Sequence, residues 1–189
     1  MRRFLLAAAL SGMVVPGAGA GVADDRLDES RAIALEFQKT LGGALKLAMA
    51  DGGPVSAISV CAEVAPAIAA RMSAETGATV SRTALRVRNP ENAPDADAVE
   101  VLEQFRARIA AAEPGPIEHL GPNGAGGTRY LRAIPLDPLC VACHGAVLAP
   151  DVAAAVAARY PDDRATGFEP GELRGAFLID WPASAETAP

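Results

Sequence analysis

Five residues restrict this chain more than any other feature it has: Cys140-Val141-Ala142-Cys143-His144. Two thiols separated by two residues on a helical turn can each bond to a different edge substituent of one flat group. The histidine that follows then projects at the same group from one side. C-x-x-C-H is the attachment signature of c-type haem, in which each thiol adds to a vinyl group and the imidazole ligates the iron. A chain built on it must fold around one large covalent cofactor and present the motif on a short helical turn. Other uses of C-x-x-C fit less well. A redox dithiol normally opens a helix after a strand of a βαβ unit, and no such alternation is present. A zinc site needs two further ligands, and only Cys61 and His119 are left to supply them.

Haem attachment of this kind follows export, and the N-terminus reads as an export signal. Arg2 and Arg3 form a charged n-region and Phe4 to Val15 an apolar one, with cleavage expected after Ala20 or Ala23. Residues 1–23 are therefore assigned to a signal peptide and 24–189 to a single haem-carrying domain in the periplasm. Gly12, Pro16, Gly17 and Gly19 interrupt the apolar run, so a membrane is a partner only if the segment is retained as an anchor. Cleavage removes two arginines and no acids, taking the net charge from −6 to −8. That sign excludes nucleic acid, which needs a basic footprint, and favours docking to a redox or signalling protein of opposite charge.

Half of the residues are hydrophobic but only 4% are aromatic, so small side chains dominate the apolar count. A core of this kind suits completion by a bulky cofactor. The first helix is expected over Asp28 to Ala50, with Ile33, Phe37, Leu41, Leu45 and Ala48 on one stripe, ended by Gly52-Gly53-Pro54. A second runs from Val55 to Glu75 with the stripe Ile58, Cys61, Ala65, Ile68 and Met72. Alternation over Val80 to Val87 predicts a half-buried strand, followed by a loop from Arg88 to Pro94. A third helix, capped by Asp95 or Asp97, carries the stripe Val99, Leu102, Phe105 and Ile109. Strands are expected at Ile117 to Leu120, Thr128 to Leu136 and Leu173 to Trp181, with a short helix from Asp151 to Arg159. Clustered strands without regular βα alternation indicate a single α+β domain with an antiparallel sheet.

The sixth iron ligand is open at this level. No His, Met, Cys or Lys follows His144, so the candidates are Cys61, His119, Met49, Met72, Lys39 and Lys46. Cys61 leads, because once Cys140 and Cys143 are consumed it is the odd cysteine of an exported protein. Inert burial on a helix stripe and pairing with another molecule are its alternatives. His119 reads as a strand histidine of unassigned role. Met49 and Met72 read as core filler. Arg82, Arg86 and Arg88 fall on one strand face and could meet haem propionates, but exposed charge is the default, so a solvated sheet face is expected.

The order of motifs resembles one known family. Ile58-Ser59-Val60-Cys61 and Ala65-Pro66-Ala67-Ile68-Ala69 are followed by Ser81-Arg82-Thr83 and the run Arg86 to Pro94. Then come Leu139 to Gly145, Tyr160-Pro161, Asp163, Ala165-Thr166-Gly167 and Gly171 to Ala176. Over residues 28–181 this is similar to the Tll0287-like haem-binding domains. The resemblance implies a PAS-like antiparallel sheet flanked by helices, one c-type haem, and axial ligation by His144 and Cys61. A redox- or gas-sensing module is the expected function. A periplasmic electron-transfer cytochrome is the alternative, and an enzyme is not expected.

Overall fold

A computed structural model describes residues 19–183, with side chains from Asp25 onward. The expected export signal lies almost wholly outside the described residues. Helix α1 (Gly19–Ser59) bends at Gly52 and Gly53. Gly53 adopts φ 68°, ψ −165°, a conformation open in practice only to glycine, and Pro54 restarts the helix where a missing N–H costs nothing. A π-helical turn (Val60–Val64) leads into α2 (Ala65–Thr76), which stops at Gly77 in the left-handed region. Strand β1 (Thr79–Thr83), α3 (Ala96–Ala110), β2 (Glu118–Pro122) and β3 (Thr128–Pro135) follow. The motif turn α4 (Val141–His144), α5 (Pro150–Arg159) and β4 (Leu173–Trp181) are the last elements of the described residues.

The four strands form one antiparallel sheet in the order β1-β4-β3-β2. Alternation along each strand divides the core into two layers. On one side Val80, Tyr130, Phe177, Ile179 and Trp181 meet Ile33 and Phe37 of α1 and Ile68 and Met72 of α2. On the other, Leu131, Leu173 and Ala176 meet Ala98, Val101, Leu102 and Phe105 of α3. The α+β expectation therefore holds: one domain, with an antiparallel sheet flanked by helices.

Three local expectations need correction. Strand β1 ends at Thr83 rather than Val87, because the Thr83 hydroxyl donates to the Asn92 carbonyl and the chain then turns away toward the motif. Arg86 and Arg88 consequently leave the sheet. On α3, Val99 is 38% exposed, and Ala98 and Val101 take the inward positions beside Leu102 and Phe105. The single helix expected from Val55 to Glu75 is interrupted at Cys61 by the π turn.

Candidate cofactor site

The motif is held by a succession of caps. Asp137 accepts from the Leu139 N–H at 2.8 Å and starts a short 3₁₀ turn (Pro138–Cys140) that runs directly into α4. Both cysteines therefore lie on consecutive helical turns, as the spacing requires. Burial pushes the Cys140 and Cys143 thiols up from their ordinary values, and the nearby Cys61 acts in the same direction. Gly145 follows because a Cβ there would lie 2.7 Å from the Val141 carbonyl oxygen.

His144 is fixed in one orientation. Its Nδ1 lies 2.6 Å from the Ala165 carbonyl oxygen, which can only accept, so Nδ1 carries the proton and Nε2 keeps its lone pair. The Arg174 Nε is also 3.2 Å from Nδ1. A protonated nitrogen cannot accept from it, so the two are neighbours rather than a bonded pair. Burial, followed by the adjacent Arg174 and Arg88 charges, drives the imidazole pKa down to about 2. The ring is therefore neutral at any ordinary pH, the form that binds a metal.

A loop from the far side of the motif clamps this arrangement. The His144 carbonyl accepts from the Phe168 N–H at 3.0 Å and the Gly145 carbonyl from the Gly167 N–H at 2.9 Å. Arg88 is the keystone, with a side chain only 7% exposed. Its Nε and Nη2 donate to the two Asp163 oxygens at 3.1 and 3.0 Å, and Nη2 also donates to the Cys143 carbonyl at 2.6 Å. Asp163 in turn accepts from the Ala165 N–H at 2.9 Å. One buried ion pair thus ties the motif backbone to the residue that orients the His144 imidazole. The expectation of a solvated arginine face is overturned for Arg88.

Cys61 reaches the site from the opposite element. In its π turn the Ala65 N–H donates to the Val60 carbonyl five residues back, an insertion that is frequent at functional sites. Val60 takes the buried position, and Cys61 is left half-buried rather than sealed in the core. It lies near Cys140, Cys143, Arg82, Arg174 and Tyr160, which places it in the neighbourhood of the motif. The kink in α1 brings the helix to the motif itself, where the Cys143 thiol donates weakly to the Pro54 carbonyl at 3.9 Å. Among the described residues, no three His, Cys, Asp or Glu side chains gather closely enough to share a metal ion. Thiols on separate elements that do not gather about one point suit a broad planar group better than a bare cation.

The other ligand candidates lie elsewhere. His119 sits on β2, at the opposite sheet edge from β1, with its ring against Gly121. Met72 is in the core, Met49 is half-buried on α1, and Lys39 and Lys46 are exposed. Arg86 is also exposed; it stacks 3.5 Å above the Phe168 ring and donates to the Thr166 carbonyl at 3.1 Å. Nothing in their spacing marks Asp163, Ala165 and Arg174 as site residues; membership of the family motif is the one signal that singles them out.

Comparisons with known proteins bear on the family and the fold. The Tll0287-like family model matches residues 20–182. A solved structure, the cyanobacterial haem protein Tll0287, is 27% identical over 84% of this chain and 95% of its own, with a TM-score of 0.67. Comparison with curated proteins finds no match. With the family model spanning all but the two ends, the chain belongs to the Tll0287-like family.

Proposed function

We propose that this protein is an exported single-haem c-type protein, ligated by His144 and Cys61, that works as a redox- or gas-responsive sensor module. The observation that carries the reading is a neutral, pre-oriented His144 on the motif turn, with a half-buried cysteine on a π turn near the two motif thiols. Haem binding by the similar cyanobacterial protein supports the choice of cofactor. The iron would supply a one-electron couple. The chain's residues do the rest: Cys140 and Cys143 anchor the ring, Ala165 sets the imidazole tautomer, and Arg88 with Asp163 holds that carbonyl in place.

The two axial ligands are supported differently. His144 is braced by the motif, the 165–168 loop and a buried ion pair, whereas Cys61 stands on a turn one residue wider than its neighbours. Thiolate affinity falls when ferric iron becomes ferrous and loses a positive charge. Cys61 is therefore the ligand expected to let go on reduction, opening a position for CO or NO. A net charge of −8 after cleavage favours one other reading, a carrier that docks a basic redox partner. Peroxidase chemistry would need a distal acid–base group, and His119 lies at the far sheet edge.

The test is expression with a c-type maturation system, followed by haem staining of denatured protein and ferrous spectra with and without CO. One covalent haem per chain with rapid CO binding supports the sensor. A covalent haem whose ferrous form refuses CO supports the carrier. No covalent haem rejects both.

A further inference from the structure

We propose that Arg82 and Arg174 form the clamp that holds the two haem propionates, an inference that rests on the haem reading above. The starting observation is a charge imbalance. Arg82, Arg88 and Arg174 converge on the site, and among the described residues Asp163 is the one carboxylate bonded to any of them. Arg88 already has its counter-charge in Asp163, and its Nη2 also donates to the Cys143 and Ala165 carbonyls, so its charge is balanced within the chain. Arg174 has only carbonyl and ring neighbours, the Arg86 oxygen at 3.4 Å and the His144 imidazole. Arg82 makes no hydrogen bond or ion pair among the described residues; its guanidinium lies 5.7 Å from the centre of the Phe37 ring. Both side chains are half-buried, and a guanidinium partly withdrawn from water with no carboxylate bonded to it is stabilised when an anion is seated beside it.

The backbone is built to aim one of them. Ile134 pairs with Gly175 and Pro135 with Leu173, so Arg174 is the extra residue of a β-bulge. Regular alternation would send it toward α3 with Ala176; the bulge turns it back to the motif side instead. Gly175 allows this, since a Cβ there would lie 2.5 Å from the Thr83 carbonyl oxygen. Thr83 directly follows Arg82 on β1, so the bulge that redirects one arginine packs against the backbone that carries the other. Two forked cations on adjacent strands match a pair of carboxylates, and guanidinium binds carboxylate in a bidentate geometry that ammonium cannot copy.

The experiment uses the haem-loaded protein, with Arg82→Gln, Arg174→Gln, Arg82→Lys and Arg174→Lys beside the wild type. The readouts are covalent haem staining, the propionate bending band in resonance Raman spectra, and the midpoint potential. We expect each Gln variant to keep its haem, shift the propionate band and move the potential negative. The Lys variants should return the potential toward wild type while the band stays shifted, because charge is restored without the fork. Unmoved bands in haem-loaded Gln variants overturn the proposal. If those variants do not accumulate, an unmoved band in the Lys variants overturns it equally. A changed iron–thiolate signature with an unmoved propionate band also overturns it, assigning the arginines to Cys61. A wild type without covalent haem sinks the haem reading and this proposal together.

Discussion

At the Trp181 end of β4 the buried polar groups complete one another, whereas toward the Leu173 end, of the three arginines Arg82, Arg88 and Arg174, Arg88 alone has a carboxylate partner among the described residues. The Trp181 indole donates to the buried Ser30 hydroxyl at 2.8 Å. Tyr130 donates to Glu118 at 2.7 Å, and Glu118 also accepts from Arg31. Arg129 forks between Asp180 and Asp95. This end is self-sufficient and fastens α1 and α3 to the sheet. The other end is electrostatically unfinished, and it is where the motif, the π turn and the bulge meet. A fold can hold such an unfinished region because the far end stabilises it, which separates residues that maintain the structure from residues that prepare a site.

The largest effect should come from breaking the one completed pair at the unfinished end. Asp163→Asn leaves Arg88 buried without its counter-charge and should cost about 3–5 kcal/mol in denaturant unfolding of the loaded protein. It should also disturb the histidine signature, because an asparagine Nδ2 cannot accept from the Arg88 Nη2 that holds the Cys143 and Ala165 carbonyls. Ser30→Ala at the opposite end leaves the Trp181 N–H without its acceptor, for about 1–3 kcal/mol, with the haem spectrum unchanged. Equal spectral disturbance by the two variants would erase the distinction between the ends.

A smaller effect is pH-dependent. Hydrogen bonding by Arg31, helped by Tyr130, holds the Glu118 carboxyl below its ordinary value of 4.5. A depressed folded-state value stabilises the protein above the unfolded-state value, and the gain is lost as pH falls through the folded one. Melting temperature should therefore decline as the solution is acidified below the ordinary carboxylate range, and Glu118→Gln should flatten that decline. An identical slope in the variant would show that the Arg31–Glu118 contact contributes nothing to acid stability.

Local pattern made much of this molecule legible. The strand Leu173–Trp181, the motif turn, the Asp95 cap and the stripes through Phe37 and Met72 all follow from spacing and capping rules that act within a few residues. Cys61 was conspicuous as an odd thiol. What spacing hid depends on distant pairing. Arg88 finds Asp163 75 positions along the chain, after the chain has turned off β1 at Thr83. Arg174 gains its direction from a register shift against β3, which no pattern in β4 alone encodes. The π turn leaves no mark in the spacing, because the steps of three and four around Cys61 also fit an ordinary helix.

The pairing of His144 with Cys61 is tested most directly by electron paramagnetic resonance of the ferric, haem-loaded protein and its Cys61→Ala variant. We expect a low-spin signal with thiolate character in the wild type and its loss in the variant, with covalent haem retained in both. Identical spectra would contradict the pairing, leaving Cys61 a bystander on its π turn and the distal ligand to be found elsewhere.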